Sequence, residues 1–155
     1  MMTTTAPSVD VQSLGSFVDG AAQRLQDGDF SAVFGVVEAD LEESTAQLFA
    51  AEKSPDGLPW ADRKDNKPHP ILRLTGRLWG SVAASDPPYA VREQYDAGAT
   101  KVFVFGTDAP YAKFHQDGTS KMPARPFLGW TPETRSRAID LVVDRAIQLV
   151  LGSRE

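Results

Sequence analysis

The chain has no cysteine. That absence removes disulfides, thiolate nucleophiles and cysteine-ligated zinc or iron–sulfur centres together, and it fits a protein made in a reducing cytoplasm. Histidine is almost as scarce, with only His69 and His115 in 155 residues. A zinc site needs three or four converging ligands, and two distant histidines with no further ligand spacing do not supply them. No metal and no cofactor is expected. Glycines never fall in the G-x-G-x-x-G order of a dinucleotide loop, and no G-x-S-x-G elbow supports a Ser–His–Asp triad. No run approaches the roughly 18 apolar residues of a membrane span, and Met1 to Ser8 has neither the basic start nor the apolar core of a secretory signal. Positive charge is also short. The formal net charge is −5 and the pI about 5.0, which argues against a surface whose main task is gripping phosphate.

What remains is an ordinary globular mixture, 41% hydrophobic and 24% charged. It is enough to bury a core in one domain. Residues 1–8 are expected to be a flexible tail, and residues 9–155 a single α+β domain without internal repeats.

Local patterns give the elements. Val11, Leu14, Phe17, Val18, Ala21 and Leu25 recur at helical spacing over residues 9–26, with Asp10 placed to cap the start. A longer helix is predicted from about Asp29 to Lys53, with Asp29 as cap and a stripe of Phe30, Phe34, Val37, Leu41, Thr45, Leu48 and Phe49. Ser54-Pro55-Asp56-Gly57 is turn chemistry. It leads to Trp60, an anchoring indole. Ile71 to Gly76 reads as a short helix or turn. From Leu78 to Ala84 the apolar period shifts to two, which predicts a strand. Tyr89 to Tyr95 and Lys101 to Gly106 follow as two more, joined by Asp96-Ala97-Gly98-Ala99, and the three are expected to form an antiparallel meander. Asp108-Ala109-Pro110 looks like the start of a short helix over Tyr111 to Gln116, stopped at Gly118. Thr131-Pro132 opens a C-terminal helix that Gly152 ends. The expected architecture is N-terminal helices and a C-terminal helix packed on a small antiparallel sheet.

One stretch combines features that punctuation does not explain. Tyr111-Ala112-Lys113-Phe114-His115-Gln116 precedes Met122-Pro123-Ala124-Arg125-Pro126-Phe127-Leu128-Gly129. Pro123 and Pro126 fix φ on either side of Arg125, so the arm is held extended at low entropic cost. Arginine there can brace the arm to the core or offer its planar fork to another subunit. The residues expected to act as interface or scaffold determinants are Trp60, Tyr111, His115, Arg125, Phe127 and Leu128, and none is assigned a catalytic role. On this reading Arg125→Ala impairs assembly more than folding, and equal loss of folded protein marks a brace. Acids crowd the first half, densest from Glu38 to Glu43, while Lys113, Lys121, Arg125, Arg135, Arg137 and Arg145 bias the last third. Such asymmetry can serve head-to-tail contact, or be solvated surface.

Three ordered blocks carry a resemblance. They are Ser54 to Trp60 after a long helix, Pro70-Ile71-Leu72-Arg73-Leu74-Thr75-Gly76 through Val82, and Tyr111-Ala112, His115-Gln116, Gly118 with Met122 to Gly129. Over about residues 30–150 the chain resembles the virion morphogenesis or tail-completion family of tailed bacteriophages, typified by the phage Mu tail-completion protein. One departure is the short loop between Gly118 and Met122, where many relatives carry more residues.

The resemblance implies a non-enzymatic structural protein of the neck or tail, of a phage, a prophage or a tail-like particle. It implies a homo-oligomeric ring, a hexamer or dodecamer, that joins or terminates the tail at the head. Implied partners are other neck proteins, the portal-side connector and the tail tube, with genomic DNA passing through the lumen unbound and no membrane. The expected location is the virion, after assembly in the host cytoplasm. Two rivals stand beside it: a nucleic-acid-binding module, and a small hydrolase using His115.

Overall fold

The structure is a computed structural model that describes residues 11–64 and 69–152. The expected tail at residues 1–8, the Asp10 cap and the Lys67-Pro68 dipeptide lie outside the described residues. The elements are helix α1 (Val11–Asp27), helix α2 (Ser31–Ala51), helix α3 (Arg77–Ala83), strand β1 (Ala90–Ala97), strand β2 (Thr100–Thr107), helix α4 (Ala112–Asp117) and helix α5 (Pro132–Leu151). The fold is α+β.

Helix α2 is the spine. Its stripe behaves as the spacing predicts: Val37, Leu41, Thr45 and Phe49 are buried. The helix begins two residues later than Asp29, yet Asp29 still serves the first turn. Its carboxylate accepts from the Ser31 amide at 2.8 Å, and that bond holds the carboxyl below its ordinary range. At the other end Glu52 takes the left-handed conformation, and its amide closes on the Leu48 carbonyl.

The structure corrects the predicted meander. Residues 77–83 form helix α3, not a strand, and β1 and β2 form a two-stranded hairpin. The alternation Leu78, Gly80, Val82 misled because the run is short. The buried set is Leu78, Gly80, Ser81 and Val82, and the spacings of three and four from Leu78 to Ser81 and Val82 place those three on one helical face as well. Gly76, expected to stop a short helix, instead precedes α3 at φ 75°, a left-handed conformation that glycine takes without strain. Asp108 does not cap α4. Its amide donates to the Tyr89 carbonyl at 3.0 Å, and the residue before α4 is Tyr111.

The hairpin pairs Ala90 with Thr107 through Ala97 with Thr100, antiparallel throughout. Helix α3 lies between the hairpin and α2. Helix α5 runs along α1 and α2 rather than lying squarely on the sheet. It starts as predicted: the Thr131 side chain accepts from the Thr134 amide, and Thr134 answers to the Thr131 backbone, a reciprocal cap with Pro132 in the first turn.

One side chain ties four elements together. Arg92 on β1 reaches Glu42 at 3.1 Å and Glu38 at 3.4 Å on α2, and donates to the carbonyls of Gly106 and Ser81. Its guanidinium lies 3.8 Å from the centre of the Phe105 ring. Asp40 pairs with Arg137 on α5 at 2.8 Å. The densest acidic run is therefore largely taken up by bonds within the chain.

Candidate functional site: a clamped arm beside a basic cleft

The six residues singled out in the sequence come together around the main core, a cluster of Phe49, Trp60, Ile71, Leu78, Val82, Ala109, Ala112 and Phe127. Tyr111 and Leu128 pack against its edge. Trp60 arrives through the Ser54–Trp60 turn. The Ser54 amide donates to the Leu58 carbonyl and the Trp60 amide to the Glu52 carbonyl, both at 2.8 Å. The indole meets Phe49 edge-on at 5.3 Å, and its N–H donates to the Pro126 carbonyl at 2.7 Å. Phe127, 2% exposed, sits 5.8 Å from Phe49 on the same side.

Arg125 is turned inward. It is 8% exposed; its Nε donates to the Ala61 carbonyl at 2.8 Å and an Nη to the Asp62 carbonyl at 2.9 Å. Its amide donates to the His115 carbonyl at 2.7 Å. The fork thus clips the arm to the segment after Trp60, across more than sixty residues of sequence. Two prolines leave the arm short of backbone donors, so the amides it does have are held with care.

Gln116 completes the clamp, and sequence reasoning did not assign it a role. Its Oε1 accepts from the amides of Phe127 at 3.1 Å and Leu128 at 3.2 Å, and its Nε2 donates to the Leu128 carbonyl at 2.9 Å. Gly118 lets the chain turn tightly here. At φ 74° its missing Cβ would fall 2.6 Å from the Ala124 amide nitrogen, closer than any side chain tolerates.

His115 bridges the arm and the solvent. Its ring meets Tyr111 edge-on at 6.1 Å, and its buried Nδ1 has no hydrogen-bond partner among the described residues. Burial, and secondly the neighbouring Arg125 charge, push its pKa below the ordinary 6.5, so the ring is neutral at neutral pH. A catalytic triad needs a carboxylate orienting the imidazole; among the described residues Nδ1 meets none. Among the described residues no three His, Asp or Glu side chains gather as metal ligands.

Beside the arm opens a cleft of about 720 Å³. Arg63, Lys64, Arg77, Lys121 and Arg125 line it with both histidines, over an apolar floor that includes Ile71, Leu72 and Leu78. The described lining residues include no carboxylate, in a chain whose net charge is −5. Part of this charge is already engaged: Arg63 donates to the His69 carbonyl at 2.7 Å, and Arg125 is the clip described above. Lys64, Arg77 and Lys121 are exposed. The wall formed by residues 69–76 contains Leu72 at φ 60°, a conformation unfavourable to a branched side chain.

A model of the phage virion morphogenesis family matches residues 9–146, nearly the whole chain. The chain belongs to the phage virion morphogenesis family. The matched span covers α1 through most of α5, and with them both sides of the arm clamp. No curated protein and no solved structure matches the chain. Membership of this family makes the chain a morphogenesis protein of a bacteriophage virion and points to a structural role. Among the described residues no helix is long and apolar enough to cross a membrane.

Proposed function

We propose that this phage morphogenesis protein is a neck or tail-completion subunit that assembles as a ring, a hexamer or dodecamer, where the tail meets the head. The observation that carries the reading is the family match over residues 9–146. The fold supplies what a ring subunit needs. The arm is fastened to the core by Trp60, Gln116 and Arg125, so a surface built on it keeps its shape under load. A non-enzymatic role follows from the same reading. Portal-side connector, other neck proteins and tail tube are its neighbours in this scheme, and DNA passes through a lumen without sequence-specific contact.

The test is immunogold labelling of intact particles. Gold confined to the head–tail junction supports the reading; gold along the tail shaft or at its far end contradicts it.

The basic cleft favours a second reading, a nucleic-acid-binding module. Binding of that kind weakens steeply with salt. A gel shift that disappears as salt rises, and is lost in Arg77→Ala/Lys121→Ala, supports it; no shift at low salt rejects it.

A further inference from the structure

Several cations of this chain find partners within it. Arg92, Lys101 and Arg137 pair with carboxylates, and Arg125 and Arg145 donate to backbone carbonyls. The cleft beside the arm gathers three that do not. Lys64, Arg77 and Lys121 are exposed on its lining, and among the described residues their side chains make no ion pair and no hydrogen bond. The described lining holds no carboxylate to answer them. Like charges around one concavity repel each other, and an anionic occupant turns that repulsion into attraction.

The rest of the lining narrows the class of anion. It includes Ile71, Leu72, Leu74, Leu78, Met122 and Pro123. Leu74 is 71% exposed, the highest value among the large apolar side chains of the described residues. A single-stranded nucleic acid needs aromatic faces on which its bases stack. The two rings in the lining, Tyr111 and His115, are already set edge-on to each other at 6.1 Å. A duplex calls for a basic stripe along its axis rather than one concavity, and a net charge of −5 repels it. An extended peptide of alternating acidic and aliphatic residues meets both features at once. Its successive side chains point to opposite sides, so one set lies on the apolar floor while the other reaches the basic rim. A volume of about 720 Å³ suits a segment of a few residues rather than a folded domain.

We propose that the cleft binds an extended acidic segment of a partner protein, its carboxylates held by Lys64, Arg77 and Lys121 and its aliphatic side chains laid against Leu72 and Leu74. The inference gives the chemistry of one partner of the subunit proposed above, and it stands whether or not that subunit closes a ring.

The test is fluorescence polarisation on the full chain. The probe is a fluorescein-labelled hexapeptide of alternating glutamate and leucine, blocked at its C-terminus. It binds saturably. Glutamine in place of its glutamates weakens binding about tenfold or more, and serine in place of its leucines does the same. On the protein, Arg77→Ala/Lys121→Ala weakens binding about tenfold and Leu74→Ser about threefold. Lys113→Ala removes an exposed cation outside the cleft and leaves binding as it is. All four side chains are exposed, so circular dichroism and thermal unfolding of the variants remain those of the wild type. Should the double variant fold poorly, Lys121→Ala and Leu74→Ser carry the same comparison.

A probe that does not bind saturably overturns the site, and so does full affinity in both Lys121→Ala and Leu74→Ser. A serine peptide that binds as well as the leucine peptide also overturns it, because charge alone then accounts for the contact. A single-stranded oligonucleotide of equal charge that binds more tightly than the probe gives the cleft to nucleic acid instead. None of these results bears on where gold labels the particle, so the site and the neck reading fail separately.

Discussion

Gln116 holds Leu128 as a neighbouring strand would, accepting from its amide at 3.2 Å and donating to its carbonyl at 2.9 Å. One side chain thus substitutes for a ladder rung at the point where the proline-bracketed arm enters the core. Gln116→Ala removes three hydrogen bonds and leaves arm backbone groups unpaired, a loss of about 2–3 kcal/mol. Gln116→Glu keeps the acceptor but cannot donate to the Leu128 carbonyl, and costs about 1 kcal/mol. Urea unfolding of the two variants checks the order. Equal stability of Gln116→Ala and wild type contradicts the clamp.

Arg125 makes its bonds inward, which shifts the expectation drawn from the sequence. Arg125→Ala gives up two charge-assisted hydrogen bonds to carbonyls of Ala61 and Asp62, worth about 3 kcal/mol together. Arg125→Lys recovers less than half, because an ammonium cannot span two carbonyls as a planar fork does. Thermal unfolding beside an assembly assay separates the roles. A variant that folds with wild-type stability yet fails to assemble assigns the guanidinium to an interface instead.

How much of this was legible in the sequence depends on how far apart the partners lie. The α2 stripe and the Thr131 cap are local patterns, and both appear as the spacing predicts. Aromatic anchors and rigidifying prolines single out Trp60, Tyr111, His115, Arg125, Phe127 and Leu128 in the sequence as interface or scaffold determinants, but that they meet around one core is visible only in the structure. Helix α3 was misread, because seven residues containing Gly80 and Val82 satisfy a period of two and a helical period equally well. Gln116 and Arg92 were missed for a different reason. A glutamine reads as surface until the arm folds beside it, and the carboxylates of Arg92 lie some fifty residues away on another element.

Arg92 should therefore be a sensitive position. Its side chain is 13% exposed and satisfies Glu38 and Glu42 while covering Phe105. Arg92→Ala strands both carboxylates between α2 and the hairpin, and the expected loss is about 3 kcal/mol. Glu42→Gln keeps the shape and one hydrogen-bond acceptor and costs about 1 kcal/mol. Denaturant midpoints measure both. A loss for Arg92→Ala no larger than that of an exposed ion pair contradicts its role as the link between α2, α3 and β1.

The pH dependence follows from His115. Its folded pKa lies below the ordinary 6.5 because burial, and then the Arg125 charge, disfavour the cation. Below 6.5 the unfolded chain takes up a proton that the folded chain resists. The contribution of the neutral ring is thus complete above about pH 6.5 and is lost as pH falls through the lower folded value. His115→Gln should flatten this part of the stability curve. Stability that rises as wild type is acidified from neutrality toward pH 5 contradicts the assignment.

The central claim, a structural subunit at the head–tail junction, is tested most directly by electron microscopy of a lysate from a phage deleted for this gene. The account predicts DNA-filled heads lying alongside separate tails, restored to joined particles when the gene is supplied in trans. Normal, infectious particles from the deletion contradict it.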